Sequence, residues 1–261
     1  MNRVSTTSVT WWGHSTVWLA DSGTSLLTDP VLTGRVAHLR RMAGPQPALP
    51  GVPDAVLLSH LHADHFHVAS LRKLGGTPRL IVPRGAGAFV VKSLGSEAAA
   101  RTVELGPGDE TTVGSLRVRA VKAAHDGGRG PWSRERAVAI GFVVEGEART
   151  WFAGDTGLFD EMNDLAPLDL ALIPVGGWGP TLGSLHHLDA TAGAEALRRV
   201  KAAWAVPVHY GTFWPLGMGR VRSHMFRDPG EEFARVALRA APDSHVRVLA
   251  HGGSLSIGRP A

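Results

Sequence analysis

Four apolar residues, Ala55-Val56-Leu57-Leu58, run directly into Ser59-His60-Leu61-His62-Ala63-Asp64-His65. The apolar run reads as a short strand covered on both faces, as in a sheet with further layers on either side. The end of such a strand delivers side chains to the rim of a sheet, where binding sites are commonly built. Three imidazoles and a carboxylate within six residues therefore call for a buried sheet with a polar rim. In extended geometry His60 and His62 share a face and can reach one ion. Asp64 and His65, where the chain turns towards a helix, can face a second. Imidazole nitrogen and carboxylate oxygen suit zinc and neighbouring divalent metals.

The rest of the chain supplies the sheet. Its 261 residues can bury a full core without staples, and no linker-like stretch divides them, so one domain over residues 1–261 is expected. Glycine and proline, 32 and 17 in number, fall as punctuation between short apolar runs, which predicts many short strands and tight loops. Strands are expected at Val9–Trp12, Thr16–Ala20, Ser25–Thr28, Leu80–Val82, Leu116–Ala123, Val138–Val144, Thr150–Ala153, Leu170–Ile173, Ala203–Val208 and Val246–Leu249. Residues 35–53, rich in proline, are expected to form an irregular surface loop. Asp189 is placed to cap a helix with Ala190, Ala194, Leu197 and Val200 on one face. Asp228-Pro229-Gly230-Glu231 offers a second helix start, with a cap and proline at the first helical position. Sheets with helices outside them give a layered α/β class.

The absence of cysteine excludes disulfides, thiolate zinc sites, iron–sulfur clusters and cysteine nucleophiles. Lys and Arg total 27 against 23 Asp and Glu, a formal charge of +4. No basic stripe is visible, so no nucleic-acid partner is expected. No apolar run approaches the ~18 residues of a membrane span, and Met1–Thr10 lack the apolar segment of a secretory signal. A soluble cytoplasmic chain without stable membrane insertion is expected. Oligomeric state stays open.

His-x-His-x-Asp-His after a buried strand resembles the signature of the metallo-β-lactamase fold superfamily. Three downstream residues match that family's further ligands in order. They are His125 after Leu116–Ala123, Asp155 in Gly154-Asp155-Thr156, and His209 in Val208-His209-Tyr210-Gly211. The resemblance implies a four-layer αββα sandwich with two divalent metal ions at its rim. His60, His62 and His125 would hold the first; Asp64, His65 and His209 the second; Asp155 would bridge them. Zinc is the default metal, and manganese, iron and nickel accept the same ligands. Trp12-Gly13-His14-Ser15, Thr28-Asp29-Pro30, Gly128-Arg129-Gly130 and His187-Leu188-Asp189 resemble one branch in particular. That branch holds ascorbate-6-phosphate lactonase and N-acyl phosphatidylethanolamine phospholipase D.

Two divalent ions carry +4, and two aspartates with a bridging hydroxide take away three. The remainder of about +1 favours an anionic or polarised small-molecule substrate. The expected reaction is hydrolysis by a metal-bridging hydroxide, first of a soluble phosphodiester. Opening of a lactone ring, phosphorylated or not, is the alternative, and a non-catalytic metal-binding or sensing module the third reading. Lipid-cleaving members carry extra N-terminal sequence, whereas the match here begins near residue 9, so a soluble substrate is expected. In the resembling families a histidine at the place of His187 lies beside the metals. It is expected to position substrate or to protonate a leaving group, with His186 as the neighbouring alternative. Asp64 and Asp155 complete the catalytic set. Asp29 reads either as hydrogen-bond support for a ligating imidazole or as a turn cap before Pro30. His14, at a hairpin tip, and Trp178, in a glycine-rich loop, are expected to line the substrate.

Overall fold

A computed structural model describes residues 6–130, 132–177, 186–216 and 223–258. Two seven-stranded sheets dominate it. The first has the order Gly253–Gly258, Thr6–Gly13, Thr16–Asp21, Thr24–Thr28, Ala55–Leu57, Arg79–Pro83, Thr102–Leu105. The second has the order His245–Val246, Ala202–Val208, Leu168–Pro174, Arg149–Phe152, Ile140–Glu145, Leu116–Lys122, Glu110–Val113. Each sheet is part antiparallel meander and part parallel, and helices connect several of the parallel strands.

The burial pattern follows from the residues. Along Thr6–Gly13, Thr7, Val9 and Trp11 are buried while their neighbours are not, the period of two of a strand with one face on the core. Ala55–Leu57 is buried throughout, as its unbroken apolar sequence requires. Between the sheets, Val9, Trp11, Leu26 and Leu57 meet Val118, Phe142, Phe152, Leu172 and Val206. Helices Val68–Lys73, Gly87–Leu94 and Ser96–Ala100 cover the outer face of the first sheet, where Val56, Leu58 and Val82 pack on Leu71, Phe89 and Ala98. Helices Ala190–Val200 and Pro229–Ala240 cover the second, where Val143, Trp151 and Ile173 pack on Ala194, Leu197 and Phe233. The four layers form the expected αββα sandwich.

Helix Ala190–Val200 starts as expected, with Asp189 Oδ1 accepting from the Ala192 N–H at 2.8 Å. Helix Pro229–Ala240 also starts where expected, but Asp228 does not cap it. The short helix His224–Arg227 runs straight into it, so Asp228 has helical dihedrals and its side chain accepts no cap bond. Residues 35–53 are not wholly irregular. Arg35–Val36 and Leu39–Arg41 form a hairpin, and Phe213–Pro215 joins it as a third strand. The strand expected over Val246–Leu249 is confined to His245–Val246, and Gly253–Gly258 is a strand the local composition does not announce. Among the described residues no helix is long and apolar enough to cross a membrane.

Candidate metal centre

Each expected ligand lies in a turn that follows a strand. His60–His65 follow Ala55–Leu57, His125 follows Leu116–Lys122, Asp155 follows Arg149–Phe152 and His209 follows Ala202–Val208. His14 sits at the turn after Thr6–Gly13, and Asp29 at the end of Thr24–Thr28. His14, Asp29 and His209 have φ of 52°, 32° and 60°, a left-handed conformation that turns the chain sharply and that non-glycine residues adopt at a cost. The backbone closes tightly around these turns. Gly154 (φ 62°) precedes Asp155, and a Cβ there would lie 2.7 Å from the Ser59 side chain; a Cβ on Gly176 would strike the His209 carbonyl.

Three imidazoles converge in the first group. His60 Nε2 lies 2.9 Å from His62 Nδ1, and His125 Nε2 lies 3.2 Å from the same atom. Their outward nitrogens are held. His125 Nδ1–H donates to the His186 carbonyl at 2.9 Å. Ser59 Oγ–H donates to Asp29 Oδ2 at 2.5 Å and accepts from His60 Nδ1–H at 2.9 Å. These bonds assign the protons outward and leave the lone pairs of His60 and His125 pointing at a common space.

The second group comprises Asp64, His65, His209 and His14, whose ligand atoms all lie within 4.8 Å of one another. His65 Nδ1–H donates to Asp29 Oδ2 at 2.7 Å, which leaves Nε2 free to face inward. Asp155 lies between the groups. Its Oδ1 is 3.2 Å from His209 Nε2 and its Oδ2 is 3.3 Å from His65 Nε2. With His125 and His187 it forms a further cluster of potential ligands. Asp29 hydrogen-bonds His65, and with His60 and His65 it forms another cluster of potential ligands. It is fully buried and accepts from Ser59 N–H at 2.8 Å, from Ser59 Oγ and from His65.

His14, expected to line the substrate, borders the cleft and also belongs to the second cluster of potential ligands. Its Nε2 is 3.0 Å from Asp64 Oδ2 and its ring is 4.1 Å from that of His209. His187 faces Asp155, with Nε2 at 3.6 Å from Oδ2 and its ring 4.7 Å from that of His125. His186 is exposed and contributes only its carbonyl. Trp178 lies outside the described residues.

The electrostatics are those of a cation site. Burial opposes ionisation of Asp64 and Asp155. His65, His14 and His209 around Asp64, and His209 and His65 around Asp155, nevertheless hold both carboxyls well below the ordinary range. Burial lowers His65, but Asp155, Asp64 and Asp29 raise it well above the usual imidazole value. Burial lowers His60 far below that value and lowers His14 and His187 to about 4. The buried atoms His65 Nε2, His209 Nε2, Asp155 Oδ1 and His187 Nδ1 have no hydrogen-bond partner. Unpartnered donor atoms are costly in a protein interior, and a divalent ion would satisfy the three of them that face the cluster centre. The donor set, nitrogen-rich with two carboxylates, fits borderline divalent metals.

Sequence reasoning missed two supports. Ser59 links Asp29 to His60, and its position next to the histidine run was the only signal. Arg129 Nη1 donates to the carbonyls of Leu61 at 2.9 Å and Phe66 at 2.7 Å, bracketing the ligand-bearing turn from below. Leu61 N–H in turn donates to Gly127 O at 3.1 Å. The cluster opens into a cleft of about 460 Å³.

The model of the β-lactamase superfamily domain matches residues 24–210. An uncharacterized protein of Mycobacterium tuberculosis is 34% identical over 92% of this chain, which spans 66% of that relative's length. A metal-dependent hydrolase of Nitratidesulfovibrio vulgaris is 30% identical over 97% of this chain and 96% of its own. The N-acyl-phosphatidylethanolamine-hydrolyzing phospholipase D 1 of Caenorhabditis elegans is 28% identical over 80% of this chain and 64% of its own. Among solved structures, Igni18, a metallo hydrolase from the archaeon Ignicoccus hospitalis, superposes with a TM-score of 0.75 at 20% identity, over 98% of this chain and all of that one (100%). CmlA, a diiron β-hydroxylase from Streptomyces venezuelae, superposes with a TM-score of 0.68 at 18% identity, over 99% of this chain and 55% of that one. At such identities the two structures speak for the fold alone. Fold, family match and full-length relative agree: the chain belongs to the metallo-β-lactamase superfamily, one of whose members similar to it over nearly its whole length is named a metal-dependent hydrolase.

Proposed function

We propose that the chain is a dinuclear hydrolase of a small, soluble, anionic substrate, with a phosphodiester as the first choice. The observation that carries this reading is the position of Asp155, whose two oxygens touch His65 and His209 of one ligand group while His125 of the other lies in the same cluster. His60, His62 and His125 would hold one divalent ion and Asp64, His65 and His209 the other, with Asp155 reaching both. Zinc is the proposed metal. Manganese, iron and nickel are the alternatives, since they accept the same ligands. Such a pair supplies Lewis acidity and a nucleophile available near neutral pH.

The chain's own residues do the positioning. Asp29 and Ser59 fix the rings of His60 and His65, and His14 holds the Asp64 carboxylate. His187 stands over the cleft beside Asp155, where it hydrogen-bonds substrate or passes a proton to a leaving group. The nematode relative named as a phospholipase D favours phosphodiester cleavage over lactone opening. Elemental analysis of the purified protein should give two metal equivalents per chain. Bis(p-nitrophenyl) phosphate should be hydrolysed, with activity lost on chelation and restored by metal. Turnover of simple lactones without phosphodiesterase activity would move the assignment to ring opening. A metal-loaded protein inert on both panels would favour a sensing module, and full activity with one metal per chain would refute the dinuclear reading.

A further inference from the structure

The cleft above the ligand cluster has two chemically different sides. His14, His62, Asp64, Asp155, His187 and His209 form one; Leu39, Phe213, Pro215, Met225 and Phe226 form the other, with His38 and Tyr210 also in the lining. Nothing in the metal-ligand pattern calls for the second side. It is assembled from strand Leu39–Arg41, its partner Phe213–Pro215 and helix His224–Arg227, stretches widely separated in sequence.

This apolar side is a fixed surface. Phe226 stacks on Trp214 with ring centroids 4.9 Å apart. The Arg41 guanidinium lies 4.8 Å above the Phe213 ring and donates to the carbonyls of Trp12 and Val31 at 3.3 and 3.1 Å. Phe213 is packed with Val31 and Val36, and Leu39 leans on the same group. Leu39, Pro215 and Met225 remain half-buried and present carbon to the cleft. Apolar surface of this kind gains free energy when a ligand removes it from water. Binding cavities characteristically combine such a wall with a few convergent polar groups. Among the described residues a polyhydroxylated group placed on these side chains would lose water against carbon, with His38 and Tyr210 the further polar side chains lining the cleft.

We propose that the substrate carries an apolar substituent, of aryl or short branched alkyl size, that packs on Leu39, Phe213, Pro215 and Met225 while its anionic reacting group lies on the His/Asp side. The inference rests on the reading of that side as a metal-dependent hydrolytic centre. The wall then selects among phosphodiesters by the group they bear, and disfavours sugar-like ones.

The test compares phenylphosphonate with methylphosphonate, equal in head group and differing in the apolar group, by calorimetric titration of the metal-loaded protein. Phenylphosphonate should bind at least about tenfold more tightly. Leu39→Gln and Met225→Gln alter half-buried side chains. Each should erode that preference to less than about threefold while methylphosphonate affinity holds, which also reports that the variant is folded and loaded. Equal affinity for the two probes in the parent protein would overturn the proposal. So would a phenyl preference that survives both substitutions, because the ring would then sit elsewhere. Failure of both probes to bind, with phosphodiesters also untouched, would instead sink the reading of the His/Asp side, and the proposal with it.

Discussion

Asp29 ties the turn that carries the candidate ligands to the end of strand Thr24–Thr28. Its two oxygens accept three hydrogen bonds, from Ser59 N–H, Ser59 Oγ and His65 Nδ1, at full burial. Asp29→Ala leaves His65 free to turn and strands two buried donors. Metal affinity should fall by roughly 10–100-fold, as for other supports of ligating imidazoles, measured by competition with a chromophoric chelator. On the dinuclear proposal, Asp64→Ala should lower the metal content from two equivalents to one, read by elemental analysis. His187→Ala should leave metal content intact and lower kcat by about 10²–10⁴-fold, the usual range for a positioned proton-transfer group. A parallel loss of metal would move His187 into the ligand set. The candidate ligands themselves were legible because donor type and spacing are local properties. The role of Asp29 was not, since it reads as turn cap or support until Ser59 and His65 are seen beside it. Parity along a loop has no periodicity to settle it either, which is why His186 stands as the neighbouring alternative to His187 in the sequence.

At the scale of elements, the ligand-bearing turn between Ala55–Leu57 and Val68–Lys73 is gripped by Arg129. One nitrogen of its guanidinium donates to the Leu61 and Phe66 carbonyls, and the group lies 5.0 Å over the Phe89 ring. Arg129→Met preserves bulk but frees both carbonyls. The loosened turn should hold metal less well, measured by the rate of loss to excess chelator. A variant of similar destabilisation remote from the turn should keep its metal. Helix Ala190–Val200 offers a simpler case. Its Asp189 cap accepts one otherwise unpaired N–H, so Asp189→Ala should cost about 1 kcal/mol. That corresponds to a melting shift of about 2–4 °C for a chain of this size, and activity should be retained. Both helix starts were legible from Asp, Pro and the apolar spacing. The hairpin within residues 35–53 was not, because its third strand comes from Phe213–Pro215 and no local pattern can declare a partner so distant.

Across the whole molecule, the stretch around His251 packs against the turn that carries His14. The His251 ring stacks on Trp11 at 4.6 Å, and its Nε2 lies 2.9 Å from Thr212 Oγ1, which accepts from the His14 N–H at 2.7 Å. Burial, and secondarily the Arg41 charge, lower His251 to about 4. The unfolded chain, with an imidazole near 6.5, binds a proton that the folded chain refuses. Stability is therefore complete above about pH 6.5 and declines as pH falls towards about 4. Urea denaturation at pH 7 and pH 5 should show a smaller pH effect in His251→Gln than in the parent. By itself the sequence determined the layered α/β class, the buried strands and the set of candidate ligands, because hydrophobic periodicity and donor chemistry are written residue by residue. Only the tertiary structure decided which backbone carbonyls the arginines hold, that His187 rather than His186 faces Asp155, and that apolar side chains share a cleft with the candidate ligands. Those features arise where segments far apart in the chain meet, and contact between them is fixed by packing of the sheets rather than by any local preference.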